Sequence, residues 1–115
     1  GGRGARALLQ FLREMAGTCE EENVRKTLQH SLGALNEALM WLTINGLQDR
    51  EQAGAAATPV LNLFGTVILG VLLARSAQVS GDSARQQVRD FYFAEFLSQV
   101  DAQLAVIKAG KQHLM

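Results

Sequence analysis

The sequence predicts an all-α fold: an antiparallel up-and-down helical bundle of three long helices plus one short N-terminal helix. Three observations predict it. The chain is rich in Ala, Leu, Gln, Glu and Arg, which are good helix formers, and holds a single proline, Pro59. Apolar residues recur at steps of three and four in four separate segments. The segments are joined by roughly two to four residues, and connections that short make sequential helices antiparallel neighbours. At 115 residues, 48% apolar and 19% charged, the chain has length and core material for one domain, residues 1–115, with no compositional case for disorder.

The first helix is expected over about residues 5–16. Leu8, Phe11, Leu12 and Met15 sit at one-turn spacings and form its apolar stripe, and Gly17 is placed to cap its end. The second begins at Thr18, with Glu21 completing a capping box and Glu20, Glu21 and Glu22 near the positive end of the helix dipole. Leu28, Leu32, Leu35, Leu39 and Leu42 make a heptad seam, and Asn45-Gly46 reads as a left-handed C-cap.

The third helix starts at Asp49, with Gln52 three residues on, and continues to about Val79. Pro59 removes one backbone donor and crowds the carbonyl four residues back. The helix either kinks there or stops and restarts at Thr58-Pro59; a kinked, nearly continuous helix is the preferred reading. Gly65 and Gly70 inside it point to close approach of a neighbouring helix. The fourth helix follows Ser80-Gly81-Asp82 and is capped by Asp82 or Ser83, the latter paired with Gln86. Phe93, Leu97, Val100, Leu104 and Ile107 form its stripe, widened by Phe91, Tyr92 and Phe96.

From Gln52 to Ala74 no residue is charged, a length that can span a bilayer. Gln52, Thr58, Pro59, Asn62 and Thr66 interrupt it, and no basic flank sets an orientation. The preferred reading is a helix buried on most sides at the centre of the bundle, and no membrane is expected as a partner.

Eleven basic residues balance eleven acidic ones, so there is no electrostatic footprint for nucleic acid. A single cysteine, Cys19, excludes an intrachain disulfide, and a cytoplasmic location is expected. The start at Gly1-Gly2-Arg3-Gly4 has no apolar core behind it and no Met, and is read as the start of a fragment.

A search for chemistry finds no self-contained active site. His30 and His113 lack any His or Cys at ligand spacing, so no metal site is expected. Cys19, placed in a helix's first turn, has the dipole's help toward a thiolate, but three glutamates follow and oppose it. The Glu-x-x-His of di-iron bundles is missing. Glu37 and Glu95 are lone carboxylates, and Ser31, Ser76 and Ser98 have neither an elbow nor a base. No catalytic residue is assigned. Trp41 and the Phe91-Tyr92-Phe93 run offer more apolar surface than a small bundle buries; Trp41 and Tyr92 either complete the core or form contact surface.

Residues 57–75 carry a resemblance. Ala57-Thr58-Pro59-Val60-Leu61-Asn62-Leu63-Phe64-Gly65-Thr66-Val67-Ile68-Leu69-Gly70, followed by Leu72-Leu73-Ala74-Arg75, is similar to the A-x-P-φ-L-x-L-F-G-x-φ-φ-x-G stretch of one family. That family is the acetyl-CoA-dehydrogenase-like C-terminal domain of acyl-CoA dehydrogenases, as in enzymes resembling 3-methylmercaptopropionyl-CoA dehydrogenase. Phe91-Tyr92-Phe93-Ala94-Glu95 resembles the aromatic run opening that domain's last helix, and Gly1-Gly2 resembles the Gly pair that follows the flavin-binding core.

The resemblance implies a C-terminal fragment of a larger FAD-dependent flavoenzyme. The parent would remove the α-proton of an acyl-CoA with a carboxylate base and pass a β-hydride to FAD. Base and flavin contacts belong to the preceding core, so no cofactor is expected in this fragment. Its implied partners are that core and further copies in a homo-oligomer, and its implied role is to pack on the core or support oligomerisation. The alternative is a free-standing helical module that dimerises through its third and fourth helices. Arg75, directly after the apolar run, is the residue singled out for a ligand or interdomain contact, against the plainer role of a helix-end cation reaching solvent.

Overall fold

Helix-forming composition and three-four periodicity give helices throughout the computed structural model, which describes residues 2–110. In chain order they are α1 (Gly2–Gly17), α2 (Glu22–Gln48), α3 (Arg50–Ser80), α4 (Ser83–Glu95), a 3-10 turn (Leu97–Gln99) and α5 (Val100–Ala109). No strand occurs among the described residues, so the fold is all-α.

The α2 seam is where the sequence places it. Leu28, Leu32 and Leu35 are fully buried, and Leu39 and Leu42 pack half-buried against the same cluster. Leu63, Val67 and Val71 of α3, Leu12 of α1 and Val100 and Ile107 of α5 complete the core. Burial of each such side chain contributes about 1.5–3 kcal/mol relative to exposure.

The helix ends differ from expectation in informative ways. Gly17 and Gly46 do not adopt left-handed caps; positive φ is confined to Gly81 and Gly110 among the described residues. At the end of α1 the carbonyls are closed by the next residues, with Thr18 N–H and hydroxyl both donating to Met15 O and Cys19 N–H to Ala16 O. Thr18 therefore turns back to α1 instead of capping α2, which begins at Glu22 with no side-chain cap. The α2 helix continues through Gly46 to Gln48, because Gly46 is where α3 crosses closely: a Cβ there would lie 3.2 Å from the Ala53 Cβ.

Asp49 caps α3 as expected, its carboxylate accepting from Glu51 N–H at 2.9 Å, while its own N–H donates to Asn45 O. Asp82 caps α4 through Ala84 N–H at 3.0 Å, after Gly81 closes α3 at φ 64°. Pro59 lies within an unbroken helix.

Three further expectations are corrected. The buried stripe of α1 is Leu9, Leu12 and Ala16, with Leu8 and Phe11 turned outward, so the face is rotated from the one read by spacing. The fourth helix is broken: after Phe96 the chain takes a 3-10 turn before α5. The break lets Leu97 sit on Gly70, where an added Cβ would meet the Leu97 Cδ1 at 2.9 Å. Gly70 is thus a close-approach glycine and Gly65 is not, since nothing lies within 4 Å of a Cβ built there.

The third correction concerns α3, which is buried on one side only. Ala56, Val60, Leu63, Val67, Val71, Ala74 and Ala77 face inward, while Leu61, Leu69 and Leu72 face solvent. In its most apolar 18-residue window, 33% is buried, and by length and composition the helix could cross a membrane. Expected burial on most sides is therefore not what this fold gives.

Candidate functional site

A groove of about 640 Å³ lies between α2 and the α4–α5 segment and is lined in part by Phe93, Ala94 and Leu97. Heptad spacing on α2 puts Lys26, Thr27, His30 and Ser31 along one wall, and Asp90, Ser98 and Asp101 stand on the other. Its polar side chains have partners, some within the groove and some outside it. The His30 Nε2 lies 2.9 Å from both carboxylate oxygens of Asp101, and Lys26 is bound to Glu22 at 2.9 Å. Ser31 donates to Thr27 O at 2.9 Å and Ser98 to Ala94 O at 2.6 Å. A hydroxyl that donates its proton to a helix carbonyl is not donating it to a general base.

The remaining candidates are scattered. Glu37 pairs with Lys108 at 2.8 Å, clamping α2 to α5. Ser76 accepts from Arg85 at 3.1 Å, Glu95 is exposed at the end of α4, and Arg75 reaches the Thr18 hydroxyl at 3.5 Å. His113 lies outside the described residues. Among the described residues no group of three or more His, Cys, Asp or Glu comes together as a metal site.

Cys19 is not in a helix's first turn as expected but in the α1–α2 connection, buried. Burial pushes its thiol pKa up, and the guanidiniums of Arg89, Arg25 and Arg75 only partly oppose this. Since the thiolate is the reactive form, Cys19 is a packing residue.

Sequence reasoning missed Arg89. It is the one buried charged residue among those described, 6% exposed, three positions before Tyr92 on the inward face of α4. Its guanidinium binds Asp90 at 2.9 Å and reaches Glu21 at 3.5 Å, so α4 is tied to the start of α2. The readable signal was its register with Tyr92 and Phe96, since an arginine on that stripe must be paired where it enters the core.

Of the aromatics, Tyr92 is buried and Trp41 packs half-buried on the core, whereas Phe91 is 62% exposed and Phe96 46%. Phe91 and Phe96 meet edge to face at 6.5 Å, and Phe96 stacks on Tyr92 at 5.0 Å.

No curated protein and no solved structure matches the chain significantly. A model of the family described as acetyl-CoA dehydrogenase C-terminal like matches residues 11–115. The chain belongs to this family. The match spans both sequence stretches that carried the resemblance, residues 57–75 and 91–95, and makes this an acyl-CoA dehydrogenase C-terminal-like domain.

The N-termini of α2, α3 and α4 and the cations of the main groove offer no open cradle for a flavin pyrophosphate. A pyrophosphate is held by helix N-termini or converging cations. Here the N-termini of α3 and α4 are filled by the carboxylates of Asp49 and Asp82, and that of α2 follows Glu20 and Glu21. The main groove offers Lys26 and His30, each already facing a carboxylate.

Proposed function

We propose that this chain is the non-catalytic C-terminal helical domain of a FAD-dependent acyl-CoA dehydrogenase, serving to pack on the catalytic core or to support subunit assembly. The observation that carries this reading is family membership over residues 11–115. FAD and the acyl-CoA belong to the parent's core, where FAD accepts the hydride. What this domain contributes is surface.

Two features of the structure support that role. The polar side chains of the groove between α2 and the α4–α5 segment have partners within the domain: His30 pairs with Asp101, and Ser31 and Ser98 donate to backbone carbonyls of their own helices. Large apolar side chains that do not reach the core stand outward on α3 and α4, including Leu61, Leu69, Leu72, Val88 and Phe91. An up-and-down course of the helices is part of the proposal. Gln78 at the end of α3 bonds Thr18 and Glu20 before α2, while Gly46 near the end of α2 meets Ala53 near the start of α3. His30 with Asp101 and Glu37 with Lys108 then set α5 parallel to α2.

The natural full-length protein tests the reading. Anaerobic addition of an acyl-CoA is expected to bleach a bound flavin. A full-length protein that holds no flavin and oxidises no acyl-CoA overturns it.

A further inference from the structure

The buried Arg89 lines a smaller cavity, of about 150 Å³, where the start of α2, the end of α3 and α4 meet. Val24, Ala74 and Ala77, all buried, give that cavity apolar walls. One turn before Arg89, Gln86 lines it too, half-buried and with no side-chain hydrogen bond in the domain.

The Arg89 guanidinium is only partly used. Asp90 takes one edge, a single carboxylate oxygen lying 2.9 Å from both Nε and Nη2. At the other edge Nη1 reaches Glu21 alone, at 3.5 Å. A formed charge-assisted bond is about 2.7–2.9 Å long, so this second contact is not closed. Glu21 lines the cavity and its side chain is 60% exposed, so water receives it when it moves away.

We propose that this cavity binds a short aliphatic carboxylate, which takes the Nη1–Nη2 edge of Arg89 in place of Glu21. Three observations select that class. The first is the present occupant: the group reaching for the open edge is itself a carboxylate, and a guanidinium edge receives a carboxylate through two parallel bonds.

The second is charge. Arg25 donates to Cys19 O at 3.0 Å and Arg75 reaches the Thr18 hydroxyl at 3.5 Å, so two further guanidiniums border the segment that carries Glu21. The third is size and lining. At about 30 Å³ for each water-sized unit, 150 Å³ admits roughly five non-hydrogen atoms, the number in propionate. The methyl groups of Val24, Ala74 and Ala77 line the space for the alkyl chain, and the Gln86 amide is free to donate to a carboxylate oxygen. Apolar walls also lower the local dielectric, which strengthens the pair with Arg89.

The site goes beyond the auxiliary-domain reading and does not rest on it: flavin content reports on that reading, and ligand binding at Arg89 on this one. Saturation-transfer NMR of propionate with the natural full-length protein tests it, because the cavity methyls face the alkyl chain. Transfer to propionate is expected, and none to propionamide, which keeps the shape without the charge. Arg89→Met strands no buried partner and is expected to raise the propionate Kd roughly tenfold or more with the helical content intact. Glu21→Gln removes the competing carboxylate and is expected to lower that Kd roughly threefold, the worth of an exposed ion pair.

No transfer to propionate, equal transfer to propionamide, or an unchanged Kd in Arg89→Met each overturns the site. A Glu21→Gln protein that binds no more tightly overturns the displacement of Glu21. Inorganic phosphate that competes as well as propionate overturns the carboxylate class, by making this a site for any small anion.

Discussion

The Tyr92 hydroxyl donates to the Thr66 carbonyl oxygen at 2.6 Å, joining α4 to α3 across 26 residues. Tyr92 is 9% exposed and carries Phe96 stacked on its ring, so one bond fixes the rotation of α4 and the place where the chain breaks toward α5. Below it, Leu97 seats on Gly70. The α3–α4 surface that the domain presents outward is therefore set by a buried tyrosine.

Tyr92→Phe keeps the ring and removes that bond. Its expected cost is about 1 kcal/mol, a lowering of Tm by about 4 °C or more. Tyr92→Ala, which also empties the space under Phe96, is expected to cost about 3–5 kcal/mol. Urea titration of the three proteins checks the order.

Alkaline pH acts on the same bond. Burial pushes the Tyr92 phenol above its ordinary value of 10.0 and the Cys19 thiol above its ordinary value of 9.0. Each folded-state pKa is raised, so the unfolded chain releases its proton first as pH rises. The stability they confer is complete below pH 9 and is lost as pH climbs through the folded values. Tm measured from pH 8 to 11 is expected to fall across that window, less steeply in a Tyr92→Phe, Cys19→Ala double variant. Parallel curves contradict the assignment.

The glycines separate by what surrounds them. Gly33 lies within α2 with nothing within 4 Å of a Cβ built there, so Gly33→Ala is expected to add about 0.5–1 kcal/mol of stability. Gly70→Ala drives a methyl to 2.9 Å from the buried Leu97 Cδ1 and is expected to cost about 1–3 kcal/mol. Thermal melts of opposite sign verify the contrast.

Arg89 distinguishes a pair from a charge. Its partners Glu21 and Asp90 are exposed, so Arg89→Met strands no buried group and is expected to change stability by less than about 1.5 kcal/mol. Glu21→Ala with Asp90→Ala leaves the guanidinium buried without either partner, at an expected cost of about 3–5 kcal/mol. Chemical denaturation ranks the two; equal losses contradict the account.

Where one physical signal acted alone, the sequence was readable. The α2 leucine seam needed only periodicity, and Asp49 and Asp82 needed only the general preference for caps. Misreadings arose where tertiary contact outweighed a local rule. Gly46 fits a helix stop, but the approach of Ala53 uses it as a crossing point. Thr18 and Glu21 have capping-box spacing, but Thr18 serves the end of α1 and Glu21 turns to Arg89. The break at Phe96 is invisible to periodicity because Phe93, Leu97 and Val100 keep their spacing across it. Arg89 was not readable, because finding it required knowing which face of α4 turns inward.

The most direct test follows the flavin. Limited proteolysis of the natural full-length protein, with flavin absorbance measured on the separated pieces, tests whether this domain is an auxiliary part of a flavoenzyme. The account predicts that the flavin stays with the preceding core and that the piece spanning residues 1–115 is colourless. Flavin retained by that piece, or a full-length protein with none, contradicts it.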